Sequence, residues 1–186
     1  MAPAMTNRMT TNSFTPDIDD ASEPAALDPR AFRGGMAKLA AAVNVITTVH
    51  DGEPYGFTAS AVCSVTDTPP TLLVCVNRTN RTHPVIAASR VLCVNTLSGP
   101  HADLSMAFAG GSSGASMAER FGHGEWTSIV TGAPALVDAA VAFDCRVSAF
   151  HEVGTHDVLF CEVVAIRESA QTESLVYFDR RFHRLG

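Results

Sequence analysis

The side chains best suited to chemistry stand in two short stretches. One is Gly56-Phe57-Thr58-Ala59-Ser60-Ala61-Val62-Cys63-Ser64-Val65, and the other, beyond a Pro69-Pro70 turn, is Thr71-Leu72-Leu73-Val74-Cys75-Val76-Asn77. Both read as strands, yet Thr58, Ala59, Ser60, Ala61 and Ser64 are too small to fill a core as a purely structural hairpin would. Small and hydroxylated residues leave room for a flat ligand to reach the main chain; the plainer alternative is an Ala/Ser-rich strand packed under a helix. Just beyond, Arg78-Thr79-Asn80-Arg81 leads into Thr82-His83-Pro84, which reads as the N-cap and first turn of a short helix, and a helix start beside Arg81 suits an anion. Gly154-Thr155-His156-Asp157 reads as a turn presenting His156 at the mouth of the fold. Pattern alone leaves open whether that ring meets a ligand or makes a structural hydrogen bond.

Other chemistries lack their residues. No Gly-x-Gly-x-x-Gly follows a strand, the glycines of 110–114 lack the Gly-Lys-Ser/Thr ending of a P-loop, and no Gly-x-Ser-x-Gly elbow occurs. His151 and His156 resemble a zinc motif, but they are five apart and in a turn between strands, where no helix face brings the rings together. Cys63, Cys75, Cys93, Cys145 and Cys161 each lie in an apolar or alternating run, with no Cys-x-x-Cys pair. They are expected to be reduced, buried thiols acting as small hydrophobes.

Composition narrows the class further. A chain of 186 residues that is 46% hydrophobic and 17% charged can bury one domain's core. Its net charge of -6, without basic residues interleaved with aromatics, argues against nucleic acid as a partner. No apolar run approaches the roughly 20 residues of a membrane span, and no basic start precedes an apolar leader. The expectation is a cytoplasmic protein with no membrane association.

The elements that must position these residues follow from periodicity. Residues 1–27 show no apolar period and are expected to form a disordered tail before a domain spanning 28–186. Asp28-Pro29 starts a helix in which Phe32, Met36, Leu39 and Val43 recur at helical spacing, weakened by Gly34-Gly35. Val43, Val45, Thr47 and Val49 then alternate, and Asp51-Gly52 turns the chain into Tyr55. Short helices are expected over 82–88, 103–108 and 117–121, with 110–114 a flexible surface connection. Further strands are expected over 91–97, 139–150, 157–166 and 175–178. Strands joined by tight turns, with only brief helices between them, point to a mainly β, antiparallel barrel, closed or partly closed, over a doubly wound parallel sheet.

Taken together, the chain over about 32–185 resembles the short-chain flavin reductases of the FMN-binding split-barrel fold. The resemblance rests on Phe32-Arg33-x-x-Met36, the stretch from Gly56 to Val62, Ser64-Val65, Pro69-Pro70, Val74-Cys75-Val76-Asn77, Val94-Asn95, Arg120-Phe121, Gly154-x-His156 and Val176-Tyr177-Phe178. Within that family the chain is most similar to the FMN reductases of the Rut pyrimidine-degradation pathway. The relevant runs are Ala42-Val43-Asn44-Val45-Ile46-Thr47-Thr48, Cys63-Ser64-Val65-Thr66-Asp67-Thr68-Pro69-Pro70-Thr71, Phe143-Asp144-Cys145-Arg146-Val147-Ser148 and Val153-Gly154-Thr155-His156-Asp157.

The resemblance implies a Greek-key split barrel that forms a homodimer and binds FMN, with FAD possible, near the dimer interface. NADH would reduce the flavin, which would then diffuse to a partner oxygenase, here one that opens the uracil ring. A reductase serving an aromatic-ring hydroxylase, or a flavin-binding module without turnover, are the alternatives. Hydride passes directly between cofactors, so no catalytic side chain and no metal is implied. Carried over by position, Thr58, Ala59 and Ser60 would run along the isoalloxazine edge, in a site that includes Cys75 and Val76. Ser64, Val65 and Asn77 would hold the ribityl-phosphate side with Arg81 and Thr82. His156 would meet the nicotinamide, and Phe182 with His183 would close the pocket. The family commonly has Tyr in place of Phe182 and Asp in place of Thr155, so no hydroxyl or carboxylate function is carried over there.

Overall fold

The computed structural model describes residues 26–109 and 114–186. Nearly all of the expected tail, and 110–113 of the expected glycine connection, lie outside the described residues. Helix α1 (Pro29–Met36) begins as its sequence dictates: the Asp28 carboxylate accepts the Arg30 N–H at 2.9 Å, with proline in the first turn. It ends at Met36, well before Val43, because the glycine pair contributes little to hold a further turn. The chain then enters β1 (Ala41–Ala42) and β2 (Asn44–His50). Phe32, Met36 and Leu39, which share the helical spacing, are 57%, 48% and 60% exposed, since none of the described elements packs over them.

Asp51 and Gly52, with φ of 51° and 80°, make the tight turn from β2 into β3 (Glu53–Ala59). The strand expected to run on from Gly56 to Val65 is broken. Ala59 pairs with Asn44 of β2, whereas Val62, which starts β4 (Val62–Asp67), pairs with Val74 of β5 (Pro70–Asn77). Ser60 and Ala61 are the joint at which the chain exchanges one partner strand for another. Beyond β5 come α2 (His83–Ser89), β6 (Val91–Thr96), α3 (Ala102–Phe108) and α4 (Met117–Phe121). Helix α4 is short enough to need its capping box, in which Ser116 and Glu119 satisfy each other's backbone N–H groups. Two strands not foreseen, β7 (Trp126–Thr127) and β8 (Ala135–Leu136), pair with each other before the long hairpin of β9 (Val141–Val153) and β10 (His156–Glu168). The chain closes with β11 (Ser174–Phe178) and the unforeseen β12 (Arg181–Leu185).

Every pairing is antiparallel, and the main sheet has the order β3-β2-β6-β9-β10-β5-β4. Its two end strands, β3 and β4, are consecutive in the chain and joined by two residues, yet they are not paired. The sheet must therefore curl until its edges meet without bonding, which is a split barrel. A smaller sheet, β1-β11-β12, flanks it.

Strand β2 explains how two cores share one wall. Ile46 points into a cluster with Phe57, Val74, Val94 and Leu159 inside the barrel. Its neighbour Val45 points the other way, into a cluster with Leu104, Phe108, Leu136 and Leu175. Both faces are covered, so the strand reads as a nearly continuous apolar and threonine run. Buried polar groups between the layers find partners, the Ser105 hydroxyl being the exception among the described residues. Asn95 donates to the Val45 carbonyl at 3.0 Å and accepts the Leu136 N–H at 2.7 Å. The Asp144 carboxylate accepts the N–H groups of Val130 and Thr131 at 2.7 and 2.8 Å.

The cysteines divide. Cys93, Cys145 and Cys161 are buried, and burial pushes their thiols up, that of Cys161 to about 12. Cys63 is exposed and Cys75 half-buried, because β4, which carries Cys63 and borders β5, is an edge strand with one face that none of the described residues covers. Among the described residues, no helix is long and apolar enough to cross a membrane.

Candidate functional site

The joint between β3 and β4 opens into two adjoining clefts that share Phe57, Thr58 and Asn80. The smaller, about 210 Å³, is lined by Ala59, Ser60, Ala61, Cys75, Asn77 and His156 as well. At Ser60 and Ala61 the carbonyls are taken, by the Val62 and Cys75 N–H groups at 3.0 Å each, while the residues' own N–H groups lie outside the ladder. Thr58 offers less than its type suggests: its hydroxyl donates to the Ser105 carbonyl of α3 at 2.6 Å. Asn77 and His156 face each other in the β5–β10 register. The Asn77 Oδ1 is occupied by the Thr79 N–H and hydroxyl, each at 2.9 Å, so the amide's remaining offer to a ligand is its Nδ2 donors.

The larger cleft, about 760 Å³, runs from Tyr55 and Gly56 past Thr79 and Arg81 to Ser116, Met117 and Arg120. Arg81 comes from the β5–α2 loop and Arg120 from α4, so two cations from separate elements border one cleft. The α2 side is braced from behind. His83 Nε2 lies 2.7 Å from Asp157 Oδ2, tying the start of α2 to β10 one residue beyond His156. The Thr82 hydroxyl is turned inward to the Gly56 carbonyl at 3.3 Å and makes no cap bond, because the residue is wholly buried.

The sequence-derived site residues therefore separate by location. Thr58, Ala59, Ser60, Cys75, Asn77 and His156 converge on the smaller cleft, and Arg81 borders the larger. Val76 and Thr82 are buried beside the clefts. Ser64 and Val65 lie further along β4, exposed, and line neither. Phe182 and His183 are on β12 in the flanking sheet, where Phe182 packs edge-on against Tyr177. Arg120, Met117, Ser116, Asn80 and Tyr55 were not foreseen as lining. Arg120-Phe121 was visible as a shared motif, but it takes the tertiary packing of Phe121 against Phe108 and Trp126 to hold α4 beside β3.

A serine, a histidine and an aspartate do meet elsewhere. Ser98 Oγ is 3.0 Å from His101 Nδ1, and His101 Nε2 is 3.0 Å from Asp138 Oδ2. Ser98 is fully buried and its hydroxyl donates to the Asp138 carbonyl, so the group ties the start of α3 to the loop before β9 and presents no nucleophile.

The sequence profile of the flavin reductase like domain matches residues 36–186. The chain is 51% identical over 178 residues to the FMN reductase (NADH) RutF of Pantoea ananatis, covering 95% of this chain and 92% of that protein. Among solved structures, the flavin reductase PheA2 in its native state superposes with a TM-score of 0.78 at 31% identity, over 86% of this chain and 99% of that one. BorF, the flavin reductase component of a bacterial two-component tryptophan halogenase, superposes with a TM-score of 0.78 at 25% identity, over 85% of this chain and 98% of that one. A split barrel with its cleft at the joint of the two edge strands, matched by profile over most of its length, places the chain in the flavin reductase like domain family.

Proposed function

We propose that this protein is an NADH-dependent FMN reductase that releases reduced flavin to a separate flavin-dependent oxygenase. The observation that carries the reading is the joint itself: Ser60 and Ala61, whose N–H groups lie outside the strand ladders, line a narrow cleft that also holds Asn77 and His156 and adjoins a wider one bordered by Arg81 and Arg120. Small side chains from Thr58 to Ala61 let a planar ring lie against main chain. The arginines are suited to a phosphate at the ring's far end. When bound, the flavin supplies the chemistry, accepting a hydride from the nicotinamide and passing on two electrons. The protein's part is to orient: backbone N–H groups along the ring edge favour the negative charge of the reduced form, and His156 borders the space where a second ring would stack.

Similarity to RutF supports an oxygenase of pyrimidine breakdown as the recipient, and the likeness to a two-component halogenase reductase supports delivery to a separate enzyme. The width of the larger cleft also favours a second reading, in which FAD is accepted alongside FMN. The exposed apolar residues of α1 and of the β11–β12 hairpin, adjoining through the Lys38–Asp179 ion pair at 2.6 Å, support a homodimer. Phe182 and His183 would then lie at that interface. A cytoplasmic location fits the same role.

The test follows NADH absorbance with the purified protein. Oxidation is expected only when FMN or another flavin is added, and coupling to a uracil oxygenase should then consume uracil. Absence of flavin-stimulated oxidation would remove the reductase reading. Oxidation without uracil consumption would remove only the proposed recipient.

A further inference from the structure

The two-residue turn that carries His156 stands almost free of the fold. Residues 151–156 are all exposed, so packing does little to fix the tip of the β9–β10 hairpin. Gly154, with φ of 58°, meets the need of the first turn position for a left-handed residue, which sets the turn's shape but not its place. The ladders reach only to His156, opposite Asn77 and Val153, and beyond them the tip is held by one residue of the neighbouring β5–α2 loop. The Arg78 N–H donates to the Thr155 carbonyl at 3.1 Å, and its Nη2 donates to the Gly154 carbonyl at 2.6 Å. Its Nη1 lies 2.5 Å from Glu152 Oε1, on the strand leading into the turn. The same guanidinium thus holds both the turn and the strand before it. Inside the clamp, the Thr155 hydroxyl is 2.8 Å from His156 Nδ1, so fixing Thr155 also fixes the plane of the imidazole.

We propose that Arg78 is a positioning residue for hydride transfer, holding the Gly154-Thr155 turn so that His156 keeps its ring at the edge of the smaller cleft. Arg78 lines neither cleft and so acts through His156 without touching a ligand. Glu152 serves by orienting the guanidinium. A planar fork suits this work: one nitrogen can hold the carboxylate while another holds a carbonyl, which a lysine ammonium cannot match in direction. The inference rests on the proposed reading of His156 as the nicotinamide-facing residue.

The experiment compares wild type with Arg78→Ala, Arg78→Lys, Glu152→Gln, His156→Ala and the Arg78→Ala/His156→Ala double variant. Stopped-flow reduction of added FMN is recorded at varied NADH, with FMN affinity and thermal midpoint measured in parallel. Exposed ion pairs contribute little stability, so the midpoint should barely move. Arg78→Ala is expected to slow hydride transfer, or raise the NADH requirement, by about fivefold or more with FMN affinity unchanged, because a small displacement of a positioning group is costly. Arg78→Lys and Glu152→Gln should fall between. The double variant should be no slower than His156→Ala alone, since the arginine acts through that ring. Wild-type kinetics in Arg78→Ala beside a slow His156→Ala would overturn the positioning role alone, as would losses that multiply in the double variant. If His156→Ala itself reduces FMN normally, the reading of His156 falls, and the positioning role falls with it.

Discussion

Arg81 and Arg120 border one cleft from two separate elements, and the sequence pointed to only one of them. Arg81 stood out because it precedes a helix start. Arg120 lies 39 positions later, on a helix held beside β3 by tertiary packing that includes the contact of Phe121 with Phe108, where the rings sit 5.1 Å apart. Replacing Arg81 with alanine is expected to weaken FMN binding by about 1–3 kcal/mol, the range for losing a charge-assisted partner. Riboflavin should lose less, and titrating both flavins checks it; equal losses would end the phosphate assignment. Thr82 shows the opposite limit of sequence reading. Its type and place fit an N-cap, but its hydroxyl turns inward to a carbonyl of β3, a partner 26 residues away that no local pattern announces. Cys63 was likewise misjudged, since an apolar-looking run on an edge strand still has one uncovered face.

At the scale of elements, most strands and helices were legible because each carries its own period or its own turn residues. What could not be read was where a strand changes partner. No Gly, Pro, Asn or Asp interrupts the run from Phe57 to Val65, and only the rival pairings of Ala59 with Asn44 and Val62 with Val74 break it. The two-residue strands β7 and β8 are too short to show any period. Gly56 marks the other constraint on β3. A Cβ there would lie 2.9 Å from Phe108 Cε1 and 3.0 Å from the Ile46 carbonyl, so α3 presses on this strand with no space to spare. Gly56→Ala is expected to destabilise the fold by about 1–3 kcal/mol through overpacking. The urea midpoint should fall accordingly, and flavin affinity should fall with it, because α3 also holds the Thr58 hydroxyl.

For the whole molecule, the feature that stands out is α1, whose apolar residues share helical spacing yet are exposed. Beside them stand Tyr177, Phe178 and Leu185, also exposed, and a surface of this kind suits a second copy. Sedimentation of the purified protein should give the mass of a dimer. Phe32→Asp with Met36→Asp should shift it toward the monomer while far-ultraviolet circular dichroism stays unchanged. A wild-type monomer at micromolar concentration would remove the homodimer. The barrel's split carries a consequence for how cargo leaves. Strands β3 and β4 share no ladder, so parting them sacrifices no backbone bond, and the two-residue joint can act as a hinge. On the proposed function, such a seam would give the flavin a way in and out that leaves the ladders of the seven-stranded wall intact.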